Sequence, residues 1–127
     1  MIQKGSYLNV IDNSGAKVVC CFHLFNGFRK RYGCAGALIL VSIKSLRSRR
    51  KQSSKVKKGE IFRAVVVRTA ISKLSVTGAK VFFKENSVVL LNKQMKPVGT
   101  RVFGTIFNSI RFGKFLKVAS LSSGLIL

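Results

Sequence analysis

The fifteen residues from Lys44 to Lys58 contain eight Lys or Arg and no acid. Ammonium and guanidinium groups at that density suit one kind of chemistry, the neutralisation of a row of phosphates. Lys44, Arg47, Arg49, Arg50, Lys51, Lys55, Lys57 and Lys58 are therefore candidate polyanion ligands, with Arg68 at the end of the apolar run that follows. Solvated protein faces usually mix both signs of charge, and this one does not. Arg29-Lys30-Arg31 forms a second basic cluster, although a solubilising loop would look the same. Phe25, Phe28 and Tyr32 lie around it. They are placed to stack on unpaired bases or to pack, Phe25 in the core and Phe28 at a partly exposed position. Contacts from Lys and Arg to phosphate position a chain without reading sequence, so shape recognition of a folded RNA fits better than base readout.

Other chemistries find few residues to work with. Against 24 Lys and Arg stand only Asp12, Glu60 and Glu85, giving +21 in 14.0 kDa and a pI near 11.2. One His and three acids make an acid–base or nucleophilic site hard to assemble, and no catalytic residues are assigned. Asp12 reads as a turn residue, Glu60 as a loop or strand-start residue and Glu85 as an exposed hairpin residue. Cys20, Cys21 and His23 hint at a metal. Adjacent cysteines on a strand face opposite ways, however, and the usual C-x₂₋₄-C spacing is missing, so no metal ligands are assigned. Gly33 and Gly36 fit no phosphate-binding loop, and no cofactor is expected. Three cysteines, two of them adjacent, argue against a disulfide framework and for a reducing interior.

These cations need a rigid footing. A like-charged arm cannot fold alone, whereas a chain with 47% hydrophobic residues has ample material for a core. At 127 residues one domain, 1–127, is expected. Self-repulsion at this net charge opposes compaction, which implies a polyanionic partner. The longest uncharged stretch, Tyr32 to Ile43, is well short of the ~20 residues that span a bilayer, and Met1 to Lys17 reads as neither a secretory signal nor a transit peptide.

The elements read as short strands. They are Tyr7 to Ile11, Lys17 to Phe25, Ala37 to Ile43, Ile61 to Ala70, Val81 to Phe83 and Asn86 to Leu91, with turns at 12–15 and 76–79. Period two puts Val18, Cys20, Phe22 and Leu24 on an inward face. Pro97 opens an ordered Pro-Val-Gly-Thr-Arg loop. The period changes only near the end. Phe112, Phe115, Leu116 and Ala119 make a helical stripe that Gly113 divides into two short helices, within a helical segment of about 105–121. The result is a small, mainly β barrel with helices confined to its C-terminal segment.

Three motifs also carry a resemblance: Asp12-Asn13-Ser14-Gly15-Ala16; Val56-Lys57-Lys58-Gly59-Glu60 leading to Ala64-Val65-Val66-Val67-Arg68-Thr69; and Gly99-Thr100-Arg101-Val102-Phe103-Gly104. Together with Gly78, Phe83, Asn86 and Val89-Leu90, they resemble the universal large-subunit ribosomal protein L-fourteen family across nearly the whole chain. The resemblance implies a five-stranded β-barrel with a projecting β-ribbon and two short C-terminal helices. It further implies a non-catalytic protein that binds large-subunit rRNA at the intersubunit face and bridges to small-subunit rRNA. Ribosomal proteins L-three and L-nineteen are the implied neighbours. A ribosome silencing factor is the implied ligand of a docking surface at Thr100 and Arg101, with Lys117 beside them.

The departures from the family pattern also inform. The arm is longer and more basic than usual and lacks a proline, Ala37 stands where an acid is common, and Thr77 replaces the usual Asp, Asn or Ser before Gly78. Scarcity of acids with enrichment in Phe, Ile and Lys suggests an organelle-encoded mitochondrial protein, with a plastid or the bacterial cytoplasm as alternatives. Because the resemblance begins at residue 1, no presequence is expected. An architectural DNA-binding protein outside the ribosome is the alternative function, and it would bind isolated duplex tightly. A peripheral membrane protein would need a longer basic amphipathic helix than the C-terminal stripe provides.

Overall fold

A computed structural model describes residues 1–47, 54–75 and 77–126. Five strands close into a barrel: β1 (Tyr7–Val10), β2 (Ala16–Leu24), β3 (Leu38–Leu46), β4 (Ile61–Arg68) and, after a two-stranded ribbon of β5 (Lys73–Leu74) and β6 (Lys80–Val81), β7 (Ser87–Leu91). Neighbouring strands are antiparallel except for β1 and β7, which run parallel through Asn9–Ser87 and Val10–Val88 and seal the barrel. Closure leaves the barrel strands without a free edge.

The apolar runs of β4 and β7 follow from the two cores they serve. Alternate residues face opposite ways along a strand. Ala64, Val66, Val88 and Leu90 fill the barrel with Leu8, Val19, Ile39, Val41 and Ile43. Val65, Val67, Val89 and Leu91 point outward into a second core. That outer core is roofed by β8 (Val102–Phe107), a 3₁₀ turn (Asn108–Ile110), α1 (Leu116–Leu121) and β9 (Ser122–Ile126), with β8 and β9 paired in parallel. Expected as helix from about 105, the chain is strand to Phe107 and helical only beyond it.

Three expectations about orientation need correcting. In β2 the buried residues are Ala16, Val19, Cys21 and, as expected, Leu24, not Val18, Cys20 and Phe22. Register shifts lie between Ala16 and Val19 and between Cys21 and His23, and each such bulge turns a spacing of two into three. The same offset puts Phe25 outside the barrel, 44% exposed, where a core position was expected. At the C-terminal end, Phe112 and Leu116 are exposed, whereas Ile110, Val118 and Ala119 face the core. The backbone leaves helical phase in the turns at 111–115, so no single stripe runs across Gly113.

Candidate nucleic-acid interface

All three carboxylates accept hydrogen bonds within the chain, although only Asp12 is buried. Asp12 is fully buried: one oxygen accepts the Ser14 N–H at 3.0 Å and the Ser14 hydroxyl, and the other accepts the Leu90 N–H at 3.0 Å. Glu60 accepts the Lys57 N–H at 2.8 Å across a tight turn. Glu85, exposed as expected, accepts from Asn9 Nδ2 at 2.7 Å and lies 3.8 Å from Arg68 Nη1. Arg68 to Glu85 is the one ion pair among the described residues. No other cation among the described residues lies within ion-pair distance of a carboxylate.

The basic arm is more firmly rooted than its charge suggests. Its first residues complete β3, and Leu46 packs on the barrel core. Its return leg inserts Val56, fully buried, into that same core. The two ends meet at the Asp12–Gly15 turn, where Arg47 N donates to Gly15 O at 2.9 Å and Lys55 N to Ser14 O at 3.0 Å. Gly15, at φ +101°, comes so close that a Cβ there would sit 2.6 Å from Ser54 Cβ. Lys44, Lys55, Lys57 and Lys58 are exposed beside these anchors, whereas Arg49, Arg50 and Lys51 lie outside the described residues.

Two of the candidate arginines have internal duties. Arg47 donates through Nη2 to Val10 O at 2.9 Å and lies 5.7 Å from the centre of the Phe103 ring. Arg68 donates through Nε to Thr105 O at 2.8 Å and through Nη2 to Phe103 O at 2.6 Å, with its guanidinium 5.4 Å from the Phe83 ring centre. Burial pushes the Arg68 pKa down, and Glu85 opposes that shift. Its side chain is only 14% exposed, and it clamps β8 to β4. The sequence shows it merely as one more cation.

Arg29, Lys30 and Arg31 are exposed on the loop between β2 and β3. Reciprocal hydrogen bonds between Ile2 and Gly33, at 2.8 and 2.7 Å, bring the N-terminal segment alongside. Lys4 thereby joins the three cations around an open cavity of about 790 Å³. Sequence reading missed Lys4 because it stands alone, and only the pairing of Ile2 with Gly33 places it there.

Thr100 and Arg101 are exposed next to the same Asp12–Gly15 turn. Asn13 holds them, its Oδ1 accepting the N–H groups of Thr100 at 2.8 Å and Arg101 at 3.3 Å while its Nδ2 donates to Thr100 Oγ1 at 2.7 Å. Gly99 is required by that approach, since a Cβ would fall 2.6 Å from Asn13 Oδ1. The Arg101 guanidinium lies 5.5 Å from the Phe103 ring centre, so Phe103 is flanked by Arg101 and Arg47. Lys117 is exposed on α1.

No helix among the described residues is long and apolar enough to cross a membrane. Cys21 is buried in the barrel, Cys20 is half-buried and Cys34 is exposed. A family model described as ribosomal protein L14p/L23e matches residues 1–126.

Proposed function

Because the chain belongs to the ribosomal protein L14p/L23e family, we propose that its surface cations bind large-subunit rRNA at the face that meets the small subunit. A structural role in the large ribosomal subunit comes with the family, which is not an enzymatic one. The supporting observation is that Arg68 to Glu85 is the one ion pair among the described residues, so the side-chain charges of Arg29, Lys30, Arg31, Lys44, Lys55, Lys57 and Lys58 are paired with no carboxylate there. Phosphate is the counter-charge that such a surface lacks. Arg47 and Arg68 serve this reading indirectly, by fixing the arm and β8.

The finer reading extends outward from there. The subunit face would also contribute to a bridge with small-subunit rRNA, with ribosomal proteins L-three and L-nineteen as neighbours. Thr100 and Arg101, held out by Asn13, with Lys117 on α1, form the docking surface for a silencing factor. The shortage of acids fits a mitochondrial ribosome.

Sedimentation of native particles through a sucrose gradient tests the central reading. Retention with the large subunit after a high-salt wash is expected, and a free monomer without RNA in the native compartment overturns it. Neutralising Arg49, Arg50 and Lys51 together is expected to lower the salt slope of RNA binding by up to about 3. An unchanged slope assigns the arm to a protein contact.

A further inference from the structure

The loop between β2 and β3 has two unlike sides. One is the cationic cavity bordered by Lys4, Arg29, Lys30 and Arg31. The other is a cavity of about 520 Å³ lined by Phe25, Tyr32, Lys30 and Cys34 among others, within the ~300–1,000 Å³ range of small-ligand sites. Lys30 lines both.

The aromatic rings here lie outside the core. Phe25 is 44% exposed, Tyr32 49% and Phe28 89%. Apolar surface left in water forgoes roughly 25 cal/mol per Å² of stabilisation, so three such rings in eight residues call for a cover. Their footing is fixed before anything binds. Phe25 N donates to Leu38 O at 3.0 Å, and the Phe25 ring meets His23 edge-on with centroids 4.9 Å apart. Asn26 Nδ2 donates to Tyr32 O at 2.8 Å, and the adjacent Gly33 is bonded to Ile2. Arg29 adopts φ +60°, a conformation rare for a residue with a Cβ, and its guanidinium sits 5.3 Å from the Phe28 ring centre.

We propose that this loop takes an unpaired nucleotide of rRNA, its base stacked on Tyr32 and Phe25 and its flanking phosphates on Lys30, Arg31 and Lys4. Phe28, with the Arg29 guanidinium 5.3 Å from its ring centre, offers its open face to a neighbouring base. Charge complementarity selects nucleic acid over an apolar peptide, because every charged group around the two cavities is a cation. Stacking selects an unpaired nucleotide over a duplex, whose bases hide their faces against one another. Base–aromatic stacking tolerates any base, so no base identity is assigned. The inference rests on the rRNA reading above and narrows it to an unstacked segment.

The probes are a short single-stranded oligoribonucleotide carrying 2-aminopurine and its perfect duplex. The combined Phe28→Leu and Tyr32→Leu protein is expected to bind the single strand ~5- to 100-fold more weakly, to lose the 2-aminopurine fluorescence change and to bind the duplex as wild type does. Its salt slope stays unchanged, because a ring releases no counterions, whereas Lys30→Gln lowers the slope by about 1. Tyr32→Phe alone keeps the stacking face and is expected to bind the single strand as wild type does, and matching thermal melts establish that all variants are folded. Within native large subunits, ultraviolet crosslinking at Tyr32 is expected to capture an rRNA nucleotide. Equal effects on single strand and duplex, wild-type affinity in the double variant, or a Tyr32 crosslink to a neighbouring protein would each overturn the proposal. Failure of the wild-type protein to bind either RNA would overturn the rRNA reading with it.

Discussion

Replacing Arg68 with Met separates two roles that the sequence leaves superposed, phosphate ligand and internal clamp. Bonds from a charged donor to a desolvated carbonyl contribute roughly 1.5–3 kcal/mol each, and less where water can take over. Thr105 O is the better shielded of the two acceptors and Phe103 O the more exposed. Methionine keeps the packed stem but neither bond, and Glu85 keeps its bond from Asn9. A net loss of about 3 kcal/mol follows, which for a chain of this size lowers the melting temperature by about 10 °C. Gly104→Ala reaches the same contact from β8, since a Cβ there would collide with Arg68 Nη2 at a backbone φ of +76°, and a comparable loss is expected. Thermal unfolding followed by circular dichroism supplies the first readout, and RNA affinity against salt the second. As a clamp, Arg68→Met lowers the melting temperature and leaves the salt slope alone at temperatures where the protein is folded. A melting temperature within ~2 °C of wild type, with the slope reduced by about 1, would refute the clamp and return Arg68 to the phosphate ligands.

Two other substitutions probe the interior and the exposed loop. Asn13→Ala removes three bonds to the 99–101 segment and is expected to cost about 1–2 kcal/mol while accelerating hydrogen exchange at Thr100 and Arg101. Unchanged exchange at those amides would mean that Asn13 does not hold the loop. Burial pushes the Cys21 thiol above its ordinary 9.0, so above that pH the unfolded chain gives up a proton that the folded one retains. The contribution of Cys21 is present in full below pH 9 and is lost as pH rises through the folded value, so the stability gap between wild type and Cys21→Ala should narrow above pH 9 in urea titrations. A gap that stays constant there would contradict the burial argument.

What the sequence shows of this fold depends on how local each cause is. The apolar runs of β4 and β7 announce burial on both faces, because a continuous stretch such as Ala64-Val65-Val66-Val67 has no side to give to water. The Asp12–Gly15 turn is equally legible from its Asx and Gly residues. The inward face of β2 is not, since a bulge is settled by pairing with β3 and leaves no mark in the residue types. Strands β8 and β9 stay hidden for a related reason: each contains a glycine, and each is a strand only because it pairs with the other. At the interface, the cation runs are visible but their division of labour is not. Nothing around Arg68 signals that it faces Thr105 and Phe103, 37 and 35 residues further on. Nothing around Lys4 signals that it faces Arg29, Lys30 and Arg31.

The same four-residue turn serves two surfaces, and that economy bears on how so basic a chain can present its charge. Ser14 and Gly15 accept the backbone N–H groups at the two ends of the arm, and Asn13 grips the loop that carries Thr100 and Arg101. Asp12, the buried member, ties the turn to Leu90 in the wall of the barrel. An arm fastened at Arg47 and Lys55, with Leu46 and Val56 in the core, has already met much of the entropy of ordering its ends. Binding RNA does not have to meet that part of the cost again, so more of the electrostatic gain remains as affinity. The buried carboxylate of Asp12 supports that gain by holding the footing rigid.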